Sequence, residues 1–447
     1  MRSICLHDNS SREYDLSDSE KLLLLKYSGV PLEDLNKQNP GLLVFPHEFG
    51  MHGDNWEKEC LFHFDGGNIA TGNVVGFFGI DNLRFQIRSR FDQKEDSKKQ
   101  YFLHYMLQRV FGINLLNMQT SPDKEPIWDF LYYLFPHFLK RAIKQGIFRT
   151  YRAFQYNDDH IRGTIDISRH IRRNIPFNGR VAYQTREHSG NNFLTHLVRH
   201  TIEVIRSNVI VAPLLSFDDE IRNAVQTIIY LTPDFSKHAL TRVISQNLRP
   251  VRHPFYTEYS ALQKICLKIL RNEKITYGEE EEKLNGIVFK AEWLWEEYLA
   301  TILEGNGVQH PQNTLGKLPI FLYRDQKHGR VFPDFYSQEL VLDAKYKNAT
   351  LQREDRFQLI SYIHIQNARA GFLIFPRNGP TQTHYEDGQQ GLLNGGGSLG
   401  YITFAIPAEA FDFSDFCQQI RRSEITLQEI VTTQEQAKIR MIQGEQS

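Results

Sequence analysis

The stretch 330–347, RVFPDFYSQELVLDAKYK, constrains this chain more than any other segment. The apolar run Leu340-Val341-Leu342 passes without a break into Asp343-Ala344-Lys345, which reads as a strand that ends in charge. On a strand, Asp343 and Lys345 point to one face and Ala344 to the other. Pro333-Asp334 stand upstream. If Asp334 ends a neighbouring antiparallel strand, its carboxylate meets Asp343 at one point. Two carboxylates that close repel unless a cation lies between them. A hard, oxygen-seeking ion such as Mg²⁺, with Mn²⁺ able to substitute, suits that arrangement and keeps several waters. A water made acidic by the ion is a nucleophile for a phosphodiester. Lys345 beside it can orient that water and stabilise charge building on phosphate oxygens. Carboxylate, carboxylate and lysine thus form a complete set for metal-assisted hydrolysis. The competing reading of so short a motif is a surface hairpin with an ordinary Asp–Lys ion pair.

Around this motif, residues 285–410 read as a compact α/β unit. Helices are expected at 291–303 and 351–366, and strands at 321–323, 330–336, 340–347, 370–375 and 401–406. The Gly-rich stretch 378–400 is expected to be a mobile loop. Gln358 and Tyr362, four apart on the second helix, fall one turn from each other and can face one site.

The rest of the chain is less informative. Its 447 residues exceed one ordinary core, so two or three domains are expected. A 12% aromatic share argues against a largely disordered chain. Residues 1–92 look β-rich, with period-two alternation in Leu83-Arg84-Phe85-Gln86-Ile87-Arg88. Residues 93–280 look mostly helical. Apolar stripes run through 102–110 and 128–143, the second interrupted by Pro136, where a kink or two abutting helices are expected. Further helices are expected at 194–205 and 256–270, strand and loop at 147–190, and a polar helical tail at 411–447. The acidic run 279–282 looks like a domain junction.

Four scattered cysteines and 17 histidines show no zinc-ligand spacing. No apolar run nears the ~18 residues that cross a bilayer, and the first residues lack the apolar core of a secretion signal. A cytoplasmic location without membrane contact is expected. No GxxxxGK[ST] loop is present, and Gly316-Lys317 lacks its spacing, so this chain is not expected to bind a nucleotide itself. With 52 basic against 53 acidic residues, net charge does not advertise a nucleic-acid partner. Locally, Lys and Arg crowd 140–180, and Arg169, Arg172, Arg173 and Arg180 are candidates for sequence-blind contact with the DNA backbone. The alternatives are a solvated face or a face for an acidic patch on a partner.

PD…DxK in this context resembles the PD-(D/E)xK nuclease superfamily. That resemblance implies a restriction-endonuclease-like core of helix, three-strand meander, helix and strand, within an α+β multi-domain chain. It also implies a metal-facing carboxylate on the preceding helix, where Glu296 stands with Glu297 as its competitor. Gln358-Leu-Ile-Ser-Tyr362 resembles the QxxxY element of RecB-like nucleases.

Three segments narrow the resemblance: WLWEEYL (293–299), FPDFYSQELVLDAKYK (332–347) and EDRFQLISYIHIQNARAGFLIFP (354–376). They look like McrC, the nuclease subunit of McrBC modification-dependent restriction systems. DNLRFQIRSRF (81–91), RGTIDISRHI (162–171) and NNFLTHLVRHTIEVI (191–205) extend the likeness upstream less specifically. The resemblance implies docking on a hexameric McrB-like AAA+ GTPase, stimulation of its hydrolysis, cleavage of double-stranded foreign DNA, and a partner-binding role for residues 1 to about 150. Base recognition in such systems belongs to the partner, so the modified base is not expected to be written in this chain. A stand-alone RecB-like DNase and a non-catalytic ring adaptor are the alternatives; intact Asp334, Asp343 and Lys345 argue against the second.

Overall fold

The computed structural model describes residues 2–39, 42–46, 59–81, 83–92, 101–111, 126–209, 211–275, 284–305, 307–311, 318–324, 328–386, 391–393 and 396–444. The chain is a mixed α/β protein of two compact units, Met1–Pro122 with Glu280–Ser447, and Asp123–Glu279. The acidic run 279–282 and Gly316-Lys317 lie outside the described residues. Among the described residues, no helix is long and apolar enough to cross a membrane.

The first unit contains a five-stranded sheet in the order Arg2–His7, Leu83–Arg88, Val74–Ile80, Leu284–Lys290 and Leu42–Phe45. Period-two alternation puts Leu83, Phe85 and Ile87 on the buried face of their strand. There Phe85 stacks on Phe78 with centroids 4.7 Å apart, and Phe78 on Phe62 at 6.0 Å. The helix Asp18–Tyr27 packs its Leu24 and Tyr27 into the same core and starts at a capping box between Ser17 and Glu20.

The strand Leu284–Lys290 runs antiparallel to Val74–Ile80 and parallel to Leu42–Phe45. Glycine makes this possible. A Cβ on Gly76, at φ +141°, would lie 2.2 Å from the Ile287 carbonyl oxygen; one on Gly286 would lie 2.5 Å from that of Phe77. The residues just before the helix Ala291–Leu303 therefore belong to the sheet built by the N-terminus, not to a unit that begins at 285.

The second five-stranded sheet has the order Phe335–Tyr336, Leu340–Ala344, Ala370–Arg377, Ser398–Ala405 and Gln382–Tyr385. Its three middle strands are parallel and its edge strands antiparallel. Leu340, Val341, Leu342 and the run from Phe372 to Phe375 are fully buried, as a sheet covered on both faces requires. Val341 packs with Leu359, Tyr362 and Ile363 of the helix Arg353–Gln366. On the other face, Trp295 of the helix Ala291–Leu303 packs against Tyr346 and Phe404. Two expectations change here. Ile320–Phe321 and Arg330–Val331 pair with each other as a separate two-stranded ladder. Within 378–400, Gln382–Tyr385 is a strand paired to Ser398–Ala405, because Thr383 and Tyr385 are strand formers beside an open sheet edge; residues 387–390 and 394–395 lie outside the described set. The C-terminal helix Phe413–Gly444 is held by buried Glu424, which accepts from Tyr105 Oη at 3.0 Å and Tyr298 Oη at 2.9 Å.

The second unit combines the helices Pro126–Lys144, Phe193–Ser207, Asp219–Leu231 and Glu258–Ile275 with a sheet ordered Thr150–Asp158, Val181–Ser189, Thr164–Ile165. Pro136 stands inside one helix, so two abutting helices do not form. Residues 147–190, expected as strand and loop, also contain the helix Ile167–Asn174, whose Asp166 cap accepts from the Arg169 N–H at 3.1 Å.

Candidate active site

The antiparallel pairing Phe335↔Leu342 and Tyr336↔Val341 fixes the site. Extended by one residue, this register sets Asp334 opposite Asp343. Asp334 therefore stands just before its strand rather than at its end. Its Oδ2 accepts the Ala344 N–H at 2.7 Å. His310 donates from Nδ1 to the Asp334 carbonyl at 2.8 Å, and its ring stacks on Phe335 with centroids 4.8 Å apart. Both sides of Asp334 are thus held.

Asp343 is 3% exposed. Its Oδ2 lies 2.6 Å from Lys345 Nζ, an ion pair whose angles fall outside hydrogen-bond geometry. Lys345 Nζ also donates to Gln358 Oε1 at 3.3 Å, and Gln358 Nε2 donates to Tyr362 Oη at 3.2 Å. Lys345 Nζ stands 4.0 Å from Asp355 Oδ1, and Lys347 pairs with the other oxygen of Asp355. Glu296 lies 4.0 Å from His310 Nε2 through its Oε1.

Electrostatics tie these groups together. Burial, then repulsion from Asp334, Glu297 and Asp343, holds the Glu296 carboxyl well above its usual range, although its side chain keeps 31% of its surface. Burial and the nearby Asp343 do the same to Asp334. Burial raises Asp343 too, and Lys345 pulls it back. Burial works against the Lys345 charge, but Asp343 and Asp334 outweigh it and keep the ammonium. Three carboxyl groups thus feel one another around a single lysine.

All six residues singled out from sequence around this motif (Glu296, Asp334, Asp343, Lys345, Gln358 and Tyr362) meet in this one network. His310 and Asp355 were not anticipated. Asp355 had a signal, since Asp355, Gln358 and Tyr362 share one helix face at i, i+3 and i+7; His310 sits in a loop with none.

The basic cluster of the second unit is smaller than it looks in sequence. Lys140 pairs with Asp218 at 2.7 Å and Glu220 at 3.0 Å, Arg141 with Glu258 at 3.0 Å, and Arg152 with Asp234 at 3.4 Å. Arg169 donates to the carbonyls of Tyr156 and Tyr183, so its guanidinium serves the fold. Arg172, Arg173 and Arg180 are exposed, beside the exposed Ile171, Ile175 and Phe177.

Residues 69–376 match the family described as McrBC 5-methylcytosine restriction system component. No curated protein matches the chain. Among solved structures, the chain is similar to one in a refined half-complex from the tetradecameric assembly of Thermococcus gammatolerans McrB AAA+ hexamers with bound McrC. The identity is 15%, the TM-score 0.45, and the match covers 94% of this chain and 100% of that one. A second is in the cryo-EM structure of the Thermococcus gammatolerans McrBC complex, at 16% identity and TM-score 0.33, covering 70% of this chain and 90% of that one.

Proposed function

The chain belongs to the family of McrBC 5-methylcytosine restriction system components, and on that premise we propose that it is the McrC-like subunit that cuts double-stranded DNA. The observation that carries this reading is the placement of Asp334 just before a strand antiparallel to the one that holds Asp343, its Oδ2 accepting the Ala344 N–H at 2.7 Å, with Lys345 Nζ 2.6 Å from Asp343. Two carboxylates beside a lysine support a PD-(D/E)xK endonuclease reading.

The donor set fits Mg²⁺. Among the described residues, no group of three or more His, Cys, Asp or Glu side chains is placed so that all could hold one metal ion. Mg²⁺ does not require one: it takes one or two carboxylates and leaves its other positions to water and phosphate oxygens. Asp334 and Asp343 would hold it, with Glu296 reached directly or through water, and their mutual repulsion is relieved by a positive charge. When bound, the ion supplies a water acidified enough to attack phosphorus.

The chain's own residues do the rest. Lys345, kept charged by Asp343 and Asp334, stabilises the charge that develops on the phosphate oxygens. Gln358 fixes the Lys345 ammonium from the neighbouring helix, and Tyr362 fixes Gln358. His310 holds the Asp334 backbone in register. Exposed Arg172, Arg173 and Arg180 are assigned to the DNA backbone, where contacts retain without reading sequence.

The partner is a McrB-like AAA+ GTPase hexamer, whose hydrolysis the subunit stimulates. Residues 1–92 are assigned to that docking. Because Leu284–Lys290 pairs within the N-terminal sheet, a load applied there reaches the start of the Glu296 helix directly.

The test is plasmid cleavage in Mg²⁺ by the full chain, alone and with an McrB-like AAA+ protein plus GTP, beside Asp343→Ala and Lys345→Ala. Cutting only in the complete mixture, lost in both variants, is the expected result. Cutting by the chain alone would support a stand-alone DNase instead. Cutting by both variants at the original rate would remove the site from consideration.

A further inference from the structure

We infer that Arg90 is a positioning residue for this site, joining the segment that carries Asp343 and Lys345 to the helix that carries Glu296; the inference rests on the nuclease reading. Arg90 follows the strand Leu83–Arg88 of the N-terminal sheet. Its Nε lies 3.0 Å from Asp8 Oδ2, and its backbone N–H donates to Asp8 Oδ1 at 2.5 Å. Asp8 is fully buried, so the guanidinium has a fixed anchor.

The other end of the guanidinium reaches two elements of the site. One terminal nitrogen donates to the Tyr346 carbonyl at 2.9 Å and to Asn73 Oδ1 at 2.9 Å. Tyr346 is the residue after Lys345. The Asn73 carbonyl in turn accepts the N–H of Ala291, at 3.0 Å, where the Glu296 helix begins. Tyr346 is further held from below. Its ring centroid lies 5.1 Å from the guanidinium carbon and 5.1 Å from the centroid of Phe91 in an edge-to-face contact, and its hydroxyl hydrogen-bonds Ser89 Oγ at 2.6 Å.

Lys345 is thereby pinned on both sides. Its own N–H donates to the Ile374 carbonyl at 3.0 Å, and the carbonyl of the following residue, Tyr346, is gripped by Arg90. Charge-assisted bonds from a planar fork define direction as well as distance. A lysine at position 90 could keep the ion pair with Asp8 but could not span Asp8, Asn73 and Tyr346 at once. An Arg90 that merely stabilised the fold would have no reason to end on the carbonyl beside the reactive lysine and on the residue that starts the Glu296 helix.

The experiment is single-turnover DNA cleavage by the full chain with its AAA+ partner, GTP and Mg²⁺. The variants are Arg90→Lys, Arg90→Ala, Asn73→Ala and Asp343→Ala, each with a thermal melt. In folded Arg90→Lys, the saturating rate should fall about 10–100-fold, the usual cost of losing a group that orients a metal site. The DNA concentration for half-saturation should not change. Arg90→Ala should regain part of its rate in millimolar guanidinium. A folded Arg90→Lys that cuts at the original rate overturns the inference. If Arg90→Lys does not fold, Asn73→Ala decides in the same way: a lower saturating rate supports the link, and the original rate sinks it. Asp343→Ala reports separately on the nuclease reading, which falls if that variant still cuts.

Discussion

Lys345, just past the end of the strand Leu340–Ala344, sets its Nζ 2.6 Å from the Oδ2 of Asp343, two residues back. The pair is more than neutralisation, because burial penalises both charges and Asp334 adds a second anion. Replacing Lys345 by Ala should therefore leave DNA retention intact and lower the cleavage rate by about 10²–10³, the range for deleting a donor to developing charge. Lys345→Arg should remain impaired, since a planar fork cannot replace a compact ammonium. Single-turnover rates beside a filter-binding measurement check both; equal losses of binding and rate in Lys345→Ala would reassign the lysine to DNA contact.

Gln358 joins Lys345 to Tyr362 through bonds of 3.3 Å and 3.2 Å. Gln358→Ala should slow cleavage by about tenfold, at the lower end of what such supporting groups contribute. Tyr362→Phe should cost less, because its buried ring still packs with Leu359 and Ile363 and only its hydroxyl is lost. The order of the two rates is the measurement. A slower Tyr362→Phe would mean that the hydroxyl itself meets substrate.

Glu296, Asp334 and Asp343 all have carboxyl groups raised above their ordinary range, first by burial. A raised folded pKa means that the native state binds protons more tightly than the unfolded one. Stability from this source is complete below the unfolded carboxylate range and is lost as pH rises through the folded values. Without divalent ions the original protein should therefore lose more stability than Asp334→Asn as pH rises above the usual carboxylate range, and Mg²⁺ should recover that difference. Asp334→Asn should flatten the dependence and remove the Mg²⁺ effect while abolishing cleavage. A gain of about 1 kcal/mol corresponds to roughly 2–4 °C in a domain of 150–250 residues, well within a calorimeter's reach. An Asp334→Asn midpoint that follows pH in chelator as the original protein's does would contradict the prediction.

What could be read from sequence follows where the physics is local. Alternation in 83–88 and the apolar approach to Asp343 each report a strand through its own neighbours, and Gln358 and Tyr362 report a helix face through their spacing. Residues 284–290 gave no such cue, because their pairing depends on Gly76 and on a sheet whose other strands lie far away in the chain. The helix Ile167–Asn174 escaped notice for another reason. Its apolar positions, Ile167 and Ile171, are exposed, so no buried stripe accompanies them, and only the Asp166 cap announces it. The basic cluster misled because Asp218, Asp234 and Glu258, which neutralise much of it, lie on other segments.

Of that cluster, Arg172, Arg173 and Arg180 are exposed, whereas Arg169 grips the carbonyls of Tyr156 and Tyr183. Reversing the exposed three to Glu should weaken DNA retention, and more so at low salt, where released counterions matter most. GTPase stimulation of the partner should persist. Arg169→Glu should instead lower stability, visible as an earlier melt. If the triple reversal spares DNA and removes GTPase stimulation, this surface belongs to the partner protein.

Gly286 provides a test of how the first unit is assembled. A Cβ there would stand 2.4 Å from Phe78 Cβ and 2.5 Å from the Phe77 carbonyl oxygen, neither of which is the far end of a flexible chain. Gly79 is one strand away, and a Cβ on it would meet only the Leu83 carbonyl oxygen at 3.5 Å, an ordinary contact. Gly286→Ala should therefore destabilise by at least the ~1–3 kcal/mol typical of an overpacked core, while Gly79→Ala should be nearly silent. Because Leu284–Lys290 leads directly into the Glu296 helix, the Gly286→Ala variant should lose cleavage at temperatures where Gly79→Ala still cuts. Urea midpoints of the two variants, with cleavage followed across temperature, decide the matter. Equal midpoints would mean that this strand does not sit between Val74–Ile80 and Leu42–Phe45 in solution.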